Sequence, residues 1–585
     1  MKRNIAFFIT SNNEDLKALR RAESEFLALV KKFEYQVQEY NIGLFKILIS
    51  FENIVTIKEE DSFIEFPIGN LGEYNLKNDR FLKIKILKDT IEIENDYAGT
   101  IPVYYSNRKY LSLSNIEPCV MIDTKTTKND LSHENIYGFM RYMHFIWDET
   151  AYKHILSILP DSFYIFNGTN LAIETKYIKS VFRTNNYVNL SDTKVSKKLN
   201  DLNDELVYES LENYEQIVLP LSSGYDSRMI LVALAKREDL KEKLHCFTYG
   251  SIGSVEVEAA RRLTQELGVK WDFIDLPSQF LEKNYLEDIH DVFGSSLHMH
   301  GMYQLEFFNE ITKKIKINKN ACLTSGFMTG VPAGQHNSLL GIENNENLAI
   351  NMNKFSQSNI WTDKELNEIP IFKNNNYINK ANERFRMAFD RFDGEIYQKS
   401  IMFDIWTRQR NFIGYYPRTL EWKIPTVSPH MNKDYANFFM SISKQHLDDR
   451  LAVELMFSNY YSKIAAIVSN SNGLKSINSI FENTMFFLSR VLNRFKINSF
   501  LPKKYANKAF EFDIPSVRYS KKDALYPLLA SNIEVDSFIN TLLSKKEVTL
   551  LYNRAYEGDI KSYEKLTTLQ SIALSLLKIE KYRDA

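Results

Sequence analysis

The stretch Leu219-Pro220-Leu221-Ser222-Ser223-Gly224-Tyr225-Asp226-Ser227-Arg228 closes a short apolar run and opens a segment of helical length. Met229, Ile230, Leu231, Val232 and Leu234 follow it. The pattern predicts a strand, a tight loop and a buried helix. Ser222, Ser223 and Gly224 are small enough for a ligand to approach the backbone. The loop N–H groups and the positive end of the new helix form an anion site. Two hydroxyls add donors, and Asp226 suits a magnesium ion bridging phosphates. The chemistry this implies is a grip on the pyrophosphate end of ATP. Leu221, Ser222, Ser223, Gly224, Tyr225, Asp226 and Ser227 are the candidate binding loop. Asp226 is the candidate metal ligand, and Asp226 and Ser222 are the candidate catalytic groups. The alternative is an ordinary strand-to-helix turn whose serines cap the helix.

Working outward, residues 245–249 form a second strand candidate, ending at Gly250. A helix should follow, with Val255, Ala259, Leu263 and Leu267 at four-residue spacing. Ser254 suits its N-cap, Glu256 and Glu258 its first turn, and Gly268 its stop. Residues 269–276 give a third strand. Strands alternating with helices imply a doubly wound parallel sheet. Ligands of such sheets lie at the carboxyl ends of the strands, where the loop and Thr248-Tyr249-Gly250 fall.

Loop 222–227 resembles the SGGxDS pyrophosphate loop of the ATP pyrophosphatases, and more closely that of the asparagine synthetase family, with Ser223 replacing the first glycine. The resemblance implies that Thr248 and Tyr249 belong to the ATP pocket. Leu323-Thr324-Ser325-Gly326-Phe327-Met328-Thr329-Gly330 resembles that family's second loop, SGEGxDE, through Ser325 and Gly326. Phe327 and Gly330 stand where the family has carboxylates that help hold magnesium. The departure argues against asparagine synthesis itself. The Gly-Phe-Met form looks more like asparagine-synthetase-like proteins of bacterial surface-polysaccharide clusters.

The first ~180 residues contain short β-rich segments at 45–51, 81–87, 90–93 and 110–113, separated by turns. Residues 96–105, Asp-Tyr-Ala-Gly-Thr-Ile-Pro-Val-Tyr-Tyr, resemble a stretch of the family's N-terminal amidotransferase domain, as do Leu113-Ser114-Asn115. Residues 131–142 and 155–160 resemble the segment joining that domain to the synthetase. Glutaminase domains of this kind use an N-terminal cysteine, and here residue 2 is Lys2. Without a thiolate the amide of glutamine is not attacked in this way. The expectation is a sandwich that is a relic or a docking surface.

Composition sets the outer limits. A chain of 585 residues holds several domains and large cores. Hydrophobic content of 44% and charged content of 25% are ordinary globular values. A net charge of -1 gives no general attraction to nucleic acid or anionic membrane. Cys119, Cys246 and Cys322 are too scattered for a disulfide framework or zinc site and suggest a reducing, cytoplasmic compartment. The first apolar run is too short for a secretory signal, and no transmembrane helix is expected.

Other constellations have two readings. His290, His298 and His300 are metal ligands or ordinary hydrogen-bonding histidines. Arg408 and Arg410 face an anion or form surface ion pairs. Lys463 is catalytic or a solvated helix lysine. In 425–428, Pro-Thr-Val-Ser, a serine replaces the family's aspartate. Residues 484–508 mix aromatic and basic side chains; they lie on an anionic membrane surface or, as favoured here, pack on the synthetase with their charges in water. Leu566, Leu569, Ala573 and Leu576 form a helical stripe, read as core.

The expected architecture is α/β: a degenerate Ntn-type α/β sandwich (1–180), a PP-loop, adenine nucleotide α-hydrolase-like doubly wound domain (190–475) and a helical extension (476–585). By resemblance, the expected activity is an amide-forming ligase that releases AMP and pyrophosphate. ATP and Mg2+ would be its cofactors and small-molecule carboxylate and amine substrates its partners. Rival readings are adenylation of another oxygen substrate and non-catalytic nucleotide binding.

Overall fold

The computed structural model describes residues 3–11, 14–53, 58–60, 63–69, 80–181, 186–249, 254–274, 290–296, 304–336, 360–373, 375–469, 476, 479–494, 544–556 and 559–583. The strands of the N-terminal part are β1 (Arg3–Thr10), β2 (Gln36–Ile42), β3 (Phe45–Asn53), β4 (Lys58–Glu60), β5 (Phe63–Gly69), β6 (Phe81–Leu87), β7 (Thr90–Asn95), β8 (Tyr104–Ser106), β9 (Ser112–Ser114), β10 (Leu156–Ser157), β11 (Ser162–Asn167) and β12 (Ile173–Tyr177). They make two antiparallel sheets, ordered β10-β8-β9-β1-β3-β2 and β12-β11-β7-β6-β5-β4.

Alternation of side chains explains how these sheets stack. Ile64, Phe66, Leu82, Ile84, Ile91 and Ile93 face inward from the second sheet and meet Phe7, Ile9, Ile47 and Ile49 of the first. The opposite face of the first sheet carries Phe8 and Leu48. It is covered by α1 (Leu16–Lys32) and α2 (Glu117–Asp123), giving helix, sheet and sheet in layers. The Asp96 turn that resembled the amidotransferase stretch is held from within: its carboxylate accepts from Thr100 Oγ1 at 2.8 Å and from the Ala98 N–H at 3.0 Å.

The second half is built on a parallel sheet of β13 (Gln216–Pro220), β14 (Leu244–Tyr249), β15 (Lys270–Ile274), β16 (Ala321–Thr324) and β17 (Thr426–Val427), ordered β15-β14-β13-β16-β17. Ile217, Val218 and Leu219 are wholly buried, as expected of a strand covered on both faces. Helix α3 (His133–Tyr142) lies between the two halves in sequence, and α4 (Asp192–Leu211) precedes β13. The chain passes from β13 through α5 (Tyr225–Lys236) and α6 (Glu238–Lys243) to β14, then through α7 (Val255–Leu267) to β15. It then returns to the other side of β13 to add β16 and β17. The direction of strand addition therefore reverses between β13 and β16, which makes the crevice at their carboxyl ends the place for a ligand.

The two halves share one continuous core. A π-helix, Ile405–Ile413, supplies the seam. Its Arg410 is buried and donates to the Gly99, Trp147 and Ile158 carbonyls and to Ser157 Oγ. Trp406 Nε1 donates to the Tyr97 carbonyl at 3.0 Å. The Leu566, Leu569, Ala573 and Leu576 stripe is buried in the last helix, Ile560–Arg583, which packs on α2. The helix Ile480–Arg494 differs from the favoured expectation of a packed helix: Met485 touches the core, whereas Phe481, Phe487 and Leu488 are exposed. An ion pair between Arg262 and Glu482 draws its polar side, rather than its aromatic side, onto α7. Residues 495–508 of that basic-aromatic segment lie outside the described residues. Among the described residues no helix is long and apolar enough to cross a membrane.

Candidate active site

The loop after β13 leaves the sheet at the reversal point. Leu221 N–H donates to the Phe247 carbonyl at 2.8 Å, so the exit path of the chain is fixed by the neighbouring strand. Thr248 Oγ1 donates to the Leu221 carbonyl at 2.7 Å and accepts from Trp271 Nε1 at 3.0 Å. Thr248 is thus a brace under the loop. Tyr249, half-buried, meets Phe307 edge-to-face with ring centroids 4.3 Å apart.

Ser222 and Ser227 share a hydroxyl contact of 3.2 Å, and Gly224 N–H donates to Ser222 Oγ at 3.1 Å. Gly224 then caps α5, whose first turn carries the positive end of its dipole. Ser223 N–H donates to a carboxylate oxygen of Glu256 at 2.7 Å. A carboxylate oxygen is an acceptor of the kind a phosphate presents. The Ser223 hydroxyl is buried and has no hydrogen-bond partner among the described residues, an uncommon state for a buried polar atom. Both observations fit an anion at this loop.

The second loop is pressed against the first. A Cβ on Gly326 would lie 2.8 Å from Asp226 Cβ and 2.9 Å from the Asp226 carbonyl carbon. Only glycine permits this approach. A Cβ on Gly330 would lie 3.2 Å from Asp226 Oδ1. Ser325 is anchored to β17 through its N–H and the Val427 carbonyl at 2.8 Å. Further along, Thr329 Oγ1 pairs with His430 Nδ1 at 2.7 Å and His430 Nε2 with Asn203 Oδ1 at 2.8 Å. Burial pushes the His430 pKa down to about 3, so this imidazole is neutral. His336 pairs with the buried Asp404 at 2.5 Å. Burial alone would raise the Asp404 carboxyl; His336 outweighs it and holds the group low. Phe327 is buried, and its ring end packs near Gly414 at the end of the π-helix.

Asp226, predicted from the sequence as a metal ligand, is partly exposed and paired with Arg450 at 2.6 Å. Magnesium is ordinarily held by one or two carboxylates plus substrate phosphates and water. Asp226 fits that role only together with a nucleotide, because no group of three or more His, Cys, Asp or Glu among the described residues is arranged to hold a metal.

The structure therefore brings Leu221, Ser222, Ser223, Gly224, Tyr225, Asp226, Ser227, Ser325 and Gly326 together at the carboxyl ends of β13 and β16, with Thr248 beneath them. Sequence reading missed Arg450 and the inward reach of Glu256. Glu256 was visible only as a first-turn acid of α7, and nothing near Arg450 in sequence announces a site. Arg228 was missed as well. It is fully buried, and its guanidinium binds the Ser223, Ile464, Ile467 and Val468 carbonyls. Burial draws its pKa down to about 10. It ties the loop to the segment after the helix Ser462–Ala465. Arg410 serves the seam rather than an anion. Lys463 is exposed beside Glu266, the solvated reading. His290 pairs with Ser575 at 2.9 Å, and His298 and His300 lie outside the described residues. Cys119 is buried, and burial raises its thiol well above the usual range.

No family model matches the sequence, and no curated protein matches it. Among solved structures, the chain is similar to the NH3-dependent NAD synthetase from Campylobacter jejuni subsp. jejuni NCTC 11168, in complex with the nitrate ion. That likeness has 14% sequence identity and a TM-score of 0.17, and covers 35% of this chain and 98% of that one.

Proposed function

We propose that the protein is an ATP-dependent ligase that activates a carboxylate and joins it to an amine. The carrying observation is the loop at the β13/β16 reversal, whose Ser223 N–H donates to a carboxylate oxygen of Glu256. In this reading the substrate carboxylate oxygen attacks the α-phosphorus. The Pα–O bond to the β-phosphate breaks and pyrophosphate leaves. The amine nitrogen then attacks the acyl carbon, AMP leaves, and the nitrogen loses its proton to solvent. Ser222, Ser223, Gly224 and Ser227 hold the departing pyrophosphate, and the β14 end with Tyr249 borders the adenine. Asp226 would hold magnesium, which supplies charge neutralisation on the phosphates. Positioning and charge do most of the work in such transfers.

The acceptor side argues for a substrate pair other than aspartate and ammonia. Phe327 and Gly330 offer no carboxylate, and an apolar ring does not replace a polar partner. The reading taken here is a bulkier carboxylate or amine, such as that of a sugar or nucleotide-sugar, and with it a role in surface-polysaccharide assembly. In this reading nitrogen does not come from glutamine, and the burial of Cys119, Cys246 and Cys322 supports that. The test supplies ATP, magnesium and a panel of carboxylates and amines, and follows AMP, pyrophosphate and product mass. Amide products from a sugar acid support the reading. Robust asparagine formation from aspartate and ammonium would overturn the substrate assignment. Tight ATP binding with no AMP from any pair would favour a non-catalytic nucleotide-binding protein.

A further inference from the structure

Arg450 stands beside the loop without a part in the proposed chemistry. Its side chain is 4% exposed, whereas that of its partner Asp226 is 37% exposed. The cation is therefore the inner member of the pair. It stands at the first turn of α5, where the helix dipole is positive and a second positive charge is unfavourable. A buried cation in such a place stabilises the helix only through what it binds. The backbone that delivers it is also costly. Asp449 and Arg450 both adopt left-handed conformations, with φ of 51° and 62°, each costing a non-glycine residue about 1–2 kcal/mol. Gly334, at the far end of the second loop, is packed so that a Cβ would lie 2.4 Å from the Leu447 carbonyl oxygen, so the turn before Arg450 is held against that loop.

We propose that Arg450 is an anion-binding residue of this site, whose guanidinium passes from Asp226 to a phosphate oxygen when nucleotide enters. The inference rests on the nucleotide-site reading. A guanidinium fork fits a carboxylate and a phosphate with the same geometry, so the exchange needs little rearrangement. Two carboxylates take the donors that a phosphate would use: Asp226 on Arg450 and Glu256 on the Ser223 N–H. The unpartnered, buried Ser223 hydroxyl is the independent sign that the loop is built for a further ligand. Released from Arg450, Asp226 is available to the magnesium that accompanies ATP. The ion pair thus keeps the carboxylate in place until the nucleotide brings its own cation.

The two members of one ion pair then have opposite effects on a metal-free anion, which a merely structural pair would not produce. Calorimetry with inorganic pyrophosphate in EDTA is the direct test, with Mg-ATP as the companion titration and a thermal melt for each variant. Arg450→Met should weaken pyrophosphate at least tenfold, with Arg450→Lys keeping part of the affinity. Asp226→Asn should tighten metal-free pyrophosphate several-fold while abolishing the gain that magnesium gives to ATP. Equal weakening in both variants would overturn the proposal, as would wild-type pyrophosphate and Mg-ATP affinity in Arg450→Met. If Arg450→Met does not fold, Asp226→Asn decides alone: unchanged or weaker metal-free binding rejects the role. Wild-type protein that binds neither pyrophosphate nor Mg-ATP would instead reject the nucleotide site itself.

Discussion

At position 326 one methyl group decides whether the two loops can touch. The Cβ of an alanine would fall 2.8 Å from Asp226 Cβ and 3.0 Å from the Ser227 nitrogen, and the atoms in its way include backbone. Gly326→Ala should cost about 1–3 kcal/mol, the usual penalty of overpacking, and should displace Asp226 from its pair with Arg450. Urea denaturation and a Mg-ATP titration check both consequences. Wild-type stability together with wild-type affinity would show that the loops do not meet as described. The sequence pointed to Gly326 only through the resemblance of Ser325-Gly326 to a known second loop, not through any reading of close approach. Arg450 was not legible, since an arginine after two aspartates in a helix-rich stretch has the same local signature whether it faces water or a crevice.

Between elements, α7 reaches across the crevice to the loop. Glu256 was read from the sequence as an acid placed for its own helix dipole, and its side chain also spans to Ser223, 33 residues earlier. Such a contact has no sequence period and appears only once β13 and β14 pair. The doubly wound α/β class was legible because apolar runs alternate with helical spacing, whereas the order of the strands was not. The π-helix was not legible either, because the contacts its Arg410 and Trp406 make with residues 97–158 are distant in sequence and leave no local pattern. Glu256→Gln keeps an acceptor for the Ser223 N–H and removes a negative charge from the anion site. Pyrophosphate affinity should rise several-fold, measured by calorimetry. A fall would make Glu256 a support for the loop rather than a stand-in for its ligand.

Across the whole molecule, buried neutral histidines set the response to acid. His144 is buried with neither ring nitrogen hydrogen-bonded among the described residues, and burial lowers its pKa to about 3. The unfolded chain takes up this proton near pH 6.5 and the folded protein does not. Its stabilising contribution is therefore complete above about pH 6.5 and is lost as the pH falls toward 3. Glu149, raised by burial to about 7, acts in the opposite sense over its own window. Comparison of wild type with His144→Phe isolates the histidine. The variant should lose up to one proton's slope, roughly 1.4 kcal/mol per pH unit, in denaturant titrations between pH 6 and 4. An unchanged slope would show that His144 is already protonated in the fold.

The contact between Arg21 of α1 and the Tyr582 carbonyl spans 561 residues. Ribosomes add about 5–20 residues per second, so α1 and α2 wait roughly half a minute to two minutes for the helix that covers them. Throughout that interval the nascent chain carries an unfinished helical layer on a completed sandwich. Synthesis itself thus prescribes a late closing step, and a polypeptide truncated after β17 should be captured by cellular chaperones rather than released as a finished half.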